Sequence, residues 1–205
     1  MTTAEVAKTL KALGWTNGVD YDRFSRLRLN DRVVEMGWKL RNYGPTLPQL
    51  LETRSALEAD WFSRAVEVIF DKKRVSSIAV EDRYNRIEAR PITPHIVSSA
   101  ADQAVAWAQV QDLDAHLQAY RERSLELGFD AFGIYHLAAL ALCGDIGRLK
   151  HYKERYAAGH LEEFGHGRHI PANRLHINTE SITRAIDYAE GVIARGEVRS
   201  PAASI

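Results

Sequence analysis

The chain has 205 residues, 45% hydrophobic and 26% charged, with 27 basic and 27 acidic side chains. That length can bury a substantial core, as one domain or two small ones. Zero net charge gives no bulk attraction to nucleic-acid phosphates or anionic lipid, and one cysteine excludes both an intrachain disulfide and the two-cysteine zinc-deaminase signature.

Residues 3–13 place Val6, Leu10 and Leu13 at helical spacing before Gly14, which predicts a short helix. Phe24, Leu27 and Leu29 lead into Asn30-Asp31, and bulky residues resume from Val33 to Leu40; a hairpin is expected, with a helix as the competing reading. Pro45 and Pro48 mark the next junction. From Leu50 to Phe70, Leu50, Leu57, Trp61, Ala65 and Ile69 fall on one helical face, and the alternative is a strand entering a shorter helix from about Leu57. A β-branched run at 75–80 reads as a strand, residues 81–91 as a charged irregular segment, and Pro91 with Pro94 as a linker.

The second half is helical in pattern. Ser99 with Asp102 suggests a helix start, followed by apolar positions from Ala101 through Leu117 and Tyr120 to a stop at Gly128. Helices over about 131–143 and 146–157 flank Gly144-Asp145, which predicts an antiparallel helical hairpin. The strongest amphipathic pattern is 179–196, with Ile182, Ala185, Ile186, Ala189, Val192 and Ile193 on one stripe and Asn178 and Thr179 as cap candidates. No second copy at a fixed period supports a solenoid. The expected class is therefore α+β: a small N-terminal antiparallel sheet with flanking helices (1–93) packed against a mainly helical half of about four helices (94–205), as two domains or one continuous domain.

Familiar catalytic signatures are absent from the sequence. It contains no HExxH, HxxEH, GxxxxGK[ST] or GxSxG, and GHGRH at 165–169 lacks the spacing of a dinucleotide fingerprint. Cys143, inside the apolar run 137–143, reads as a core thiol. Carboxylates at Glu67 and Asp71 with Lys73, or at Glu81, Asp82 and Glu88, are what a magnesium-dependent nuclease uses and also what any solvated face carries.

Two functional expectations follow. By subtraction, the first is a non-catalytic protein-binding accessory factor, chaperone-like or toxin-neutralising in type, working through another protein or a second copy of itself. Its contact candidates are Arg26, Arg28, Arg32, Trp38 and Arg41, since arginine and aromatic anchors dominate interface centres. The rival is a metal-dependent or histidine acid-base hydrolase built on the histidine-rich region 136–176. There His136, His151, His166 and His169 are the acid-base candidates, and His160, Glu163, His166, His169 and His176 offer donors suited to a transition metal. No cofactor and no membrane partner are expected, and the sequence carries no strong nucleic-acid signal. No basic, then apolar leader and no apolar run of membrane length is seen, so the expected compartment is the cytoplasm.

Overall fold

A computed structural model describes residues 1–20, 22–71, 76–123, 132–164 and 177–199. The protein has an N-terminal antiparallel sheet with flanking helices and a C-terminal bundle of about four helices. The chain divides into two compact units, Met1–Asp60 with Ser77–Gln111, and Trp61–Ser76 with Asp112–Ile205.

In the first unit, α1 (Thr3–Ala12) opens with a capping box: Thr2 accepts from the Glu5 backbone, and the Glu5 carboxylate accepts from the Thr2 N–H. Strands β1 (Thr16–Val19), β2 (Arg23–Leu29), β3 (Arg32–Asn42) and β4 (Gln49–Ala59) form an antiparallel meander. The two-residue turn Asn30-Asp31 joins β2 to β3, with Asn30 in the left-handed region that asparagine tolerates (φ 56°). The far edge of β4 is shared by two short strands, β5 (Ser77–Val80) and β6 (Asn85–Ala89).

Pleating sends Val34, Met36 and Trp38 of β3 and Leu51 and Leu57 of β4 into the core, where α3 (Pro94–Gln109) packs on β3, β4 and α1. Its buried stripe is mostly alanine (Ala100, Ala101, Ala104 and Ala108), which lets the helix lie close. Buried Gln49 ties the unit together: its carbonyl accepts from the Ile92 and Met1 nitrogens at 3.0 and 2.9 Å, and its amide donates to the Met1 carbonyl at 2.7 Å.

The second unit contains α2 (Asp60–Phe70, from Trp61 onward), α4 (Leu113–Glu122), α5 (Phe132–Leu142), α6 (Ile146–Ala157) and α7 (Thr179–Ala194). Helix α5 is its centre, buried from Ile134 to Leu142 and packed against α4, α6 and α7. Gly144 (φ 66°) closes α5 with paired bonds, Gly144 N–H to Ala141 O and Asp145 N–H to Leu140 O; Asp145 then caps α6. Asn178 caps α7, whose Ile182, Ala185, Ile186, Ala189 and Val192 are buried. Arg184 of α7 donates to the Ile69 carbonyl at 2.9 Å, satisfying an end of α2.

Three sequence expectations are corrected. Residues 49–59 are strand, not the first half of a long helix, as the strand alternative has it. Their helix-favouring Leu, Glu and Arg content is overridden by pairing with β3 along the whole length of β4. The charged segment 81–91 contains β6, whose polar residues suit an exposed edge. The helix expected from Ser99 through Tyr120 is two helices: Thr93 caps the first with Pro94 at its opening position, and Asp112 caps the second after a break at 110–112. The stop expected at Gly128 lies outside the described residues.

Candidate metal centre

The C-terminal end of α6 determines where the candidate donors lie. Gly159 occupies the left-handed position (φ 85°), with Gly159 N–H bonded to Tyr156 O and His160 N–H to Arg155 O, each at 3.1 Å. This paired pattern ends the helix and turns the chain back across its last turn. A single 3-10 turn follows, Leu161–Phe164, anchored by buried Phe164, whose ring lies edge-on to Tyr152 and Tyr156 at 5.9 and 5.1 Å.

His160, Glu162 and Glu163 converge on this turn: one donor atom from each lies within 4.8 Å of the others. The His160 Nδ1 is 3.5 Å from the Glu162 carboxylate. Arg155 of α6 holds Glu163, its Nε 3.0 and 3.1 Å from the two carboxylate oxygens and its terminal nitrogen bonded to Oε1. That hydrogen bond is the main reason the Glu163 carboxyl is held below its ordinary value, against a smaller opposing effect of burial; the charges of Arg155, His160 and His151 add to the lowering. Glu163 is thus a ready anion with a fixed orientation. Each carboxylate oxygen has two lone pairs, so the arginine contact leaves acceptor capacity.

Among the described residues this is the group of three His, Cys, Asp or Glu side chains able to share an ion. The nuclease candidates Glu67, Asp71, Glu81, Asp82 and Glu88 form no such group, and Glu81 accepts from the Ser55 backbone at 2.9 Å. Lys73 lies outside the described residues, as do His166, His169 and His176. Of the expected metal ligands the turn therefore brings together His160 and Glu163, and it adds Glu162, which the sequence reading left out. A histidine followed two and three residues on by carboxylates, placed after a glycine that ends a helix, was the available signal.

The remaining histidines differ in setting. His151 is exposed on α6. His136 is 1% exposed, its Nδ1 2.7 Å from the Tyr120 carbonyl and its Nε2 3.0 Å from the Tyr152 hydroxyl. A carbonyl only accepts, so Nδ1 carries the proton and donates, and Nε2 accepts from Tyr152. Burial lowers the His136 pKa and raises those of Tyr152 and of the Cys143 thiol, which makes Cys143 a poor nucleophile.

In the first unit, alternation along the strands places Arg26, Arg28 and Arg41 on the face opposite the helices. Arg32 and Trp38 have the other parity. Trp38 is 4% exposed and donates to the Ser25 hydroxyl at 2.9 Å. Arg26 pairs with Glu35 directly across the strands, Arg28 with Asp60, and Arg41 with Glu52.

Among the described residues no helix is long and apolar enough to cross a membrane. No curated protein and no solved structure matches the chain. A family described as "Family of unknown function (DUF6990)" matches residues 2–190. Coverage of that extent assigns the chain, sheet unit and candidate centre included, to the DUF6990 family.

Proposed function

We propose that the C-terminal unit binds a divalent transition-metal cation through His160, Glu162 and Glu163, and that this cation is the centre of a metal-dependent hydrolase. The supporting observation is the convergence of the three donor groups within 4.8 Å. One imidazole and two carboxylates suit zinc, and three protein ligands leave a position for water, whose pKa the cation lowers toward neutrality. Arg155 would act as the outer partner that orients Glu163. Side-chain exposures of 41% for His160 and 69% for Glu162 leave room for a substrate. The lone thiol, Cys143, suits a reducing compartment, and the proposal places the protein in the cytoplasm.

Zinc binding measured on protein purified without a nickel column tests this. About one zinc per chain is expected, with hydrolysis of a nitrophenyl ester or phosphate that chelator abolishes. The double substitution His160→Ala with Glu162→Ala is expected to lower zinc affinity at least about tenfold with an unchanged circular-dichroism spectrum. Equal affinity in wild type and variant overturns the centre; zinc binding without hydrolysis overturns the enzymatic half.

A second reading, a protein-binding accessory factor, is supported by a different observation: Arg26, Arg28 and Arg41 share the open sheet face. If a partner docks there, charge reversal by Arg28→Glu with Arg41→Glu removes a protein recovered stoichiometrically with the wild type from native extract. Recovery unchanged by the reversal, or no stoichiometric partner, defeats this reading.

A further inference from the structure

The open face of the sheet has a cleft of about 430 Å³, within the range of small-ligand sites. Its lining includes Gly37, Lys39, Arg54, Tyr84 and Arg86, and basic side chains outnumber acidic ones four to three. Strand register explains the grouping. Gly37 lies opposite Arg54, Lys39 opposite Glu52, and Glu52 opposite Arg86.

The charges in the cleft are not equally committed. Glu52, with a side chain 8% exposed, accepts from Arg41 at 2.7 Å and pairs with Arg86 at 3.2 Å. Glu35 is taken by Arg26 at 2.7 Å. Arg54 is held without being neutralised: its Nε donates to the Glu81 carbonyl at 2.8 Å, and its guanidinium lies 5.5 Å from the centre of the Tyr84 ring. Among the described residues the two terminal nitrogens of Arg54 have no partner, Lys39 acts on Glu52 through its charge alone without an ion pair or hydrogen bond, and the lining carboxylate Asp22 has no ion pair. An arginine fixed at Nε and set over an aromatic ring presents its remaining donors as an oriented fork, the geometry that matches a carboxylate or phosphate.

Gly37 is the second observation. A glycine inside an eleven-residue strand weakens the strand. Neither backbone strain nor crowding calls for it: its φ is not left-handed, and an added Cβ would meet only the Arg54 carbonyl oxygen, at an ordinary 3.7 Å. What the missing side chain leaves is open floor beside the Arg54 fork, the use of a strand glycine where a ligand approaches the backbone.

We propose that this cleft binds a small organic oxyanion, a carboxylate or phosphate ester, whose head group is taken by the terminal nitrogens of Arg54 and by Lys39 over the Gly37 floor. Tyr84 and the Arg41–Glu52–Arg86 cluster line the rest of the cleft. The site shares no residue with the metal candidates His160, Glu162 and Glu163 and does not depend on metal.

Amide chemical shifts of the full-length protein, recorded while titrating inorganic phosphate and, separately, succinate, test the assignment. Saturable shifts centred on Gly37, Lys39, Arg54 and Tyr84 are expected with at least one anion, and the tighter one names the head group. Arg54→Gln with Lys39→Gln is expected to weaken binding at least tenfold. Gly37→Leu, which fills the floor and leaves every charge in place, is expected to abolish it with no loss of melting temperature. Binding that survives Gly37→Leu in a folded protein, shifts centred elsewhere, or no saturable response to either anion overturns the proposal.

Discussion

Truncating Phe62 to alanine is expected to lower the unfolding free energy by about 3–5 kcal/mol, read as a fall in the urea midpoint by circular dichroism. Phe62 is fully buried on α2, stacked on Tyr120 of α4 at 5.6 Å and edge-on to Tyr135 of α5 at 5.4 Å. Tyr120 and Tyr135 meet each other edge-on at 5.4 Å, so the three rings close a triangle among three helices. Deleting one ring removes its transfer free energy, leaves a cavity walled by two large rings that cannot both move in, and forfeits the aromatic contacts. Phe62→Leu, which retains most of the volume, is expected to cost less than half as much. Against a total stability of about 5–15 kcal/mol, the alanine variant stands at the edge of folding. A loss below about 1 kcal/mol would mean that the ring triangle does not hold these helices together.

The readable parts of this fold were those with local signals. Asn30-Asp31 predicted the hairpin because a two-residue turn needs a residue that tolerates positive φ. Gly144-Asp145 predicted the helical hairpin because one residue ends α5 and the next caps α6. Strand β4 carried no comparable signal. Its sequence LLETRSALEA alternates apolar with polar only loosely, and it is a strand because β3 pairs with it on one side and β5 and β6 on the other. The break between α3 and α4 was hidden for the opposite reason, since alanine, valine and tryptophan continue a helical pattern up to the point where Asp112 caps a new helix.

The candidate sites divide along the same line. His160 and Glu163 were nameable as candidates because imidazole and carboxylate donors crowd one short stretch of sequence, and the chain there turns so that Glu163 N–H bonds back to the His160 carbonyl. The cleft was invisible because Gly37, Arg54 and Tyr84 are far apart in sequence and meet only through strand register and the β5–β6 connection. The proposed acid-base role of His136 meets a physical obstacle: both ring nitrogens are already engaged by Tyr120 and Tyr152.

The burial of His136 makes stability depend on pH. Burial is the largest influence on His136 and lowers its pKa from the ordinary 6.5; the nearby Arg148 acts in the same direction, while the bond to the Tyr120 carbonyl and the charge of Asp145 oppose it. The folded protein therefore keeps the ring neutral at a pH where the unfolded chain has taken up a proton. Between the two pKa values the unfolded state binds more protons, so stability rises with pH. The contribution is complete above about pH 6.5 and is lost as pH falls toward the folded-state value, at a limiting slope of about 1.4 kcal/mol per pH unit. Urea unfolding of wild type and His136→Asn between pH 8 and about pH 5 isolates this share, because the carboxylates common to both proteins cancel in the difference. The wild type is expected to lose stability on acidification more steeply than the variant. Tyr152→Phe, which leaves Nε2 without its donor, is expected to cost about 1–3 kcal/mol above pH 6.5, where the ring is neutral in both states. Parallel wild-type and His136→Asn profiles would show that the ring takes up its proton equally in both states. The buried Tyr120–His136–Tyr152 chain could then open to water at little cost, and an acid-base role for His136 would become tenable.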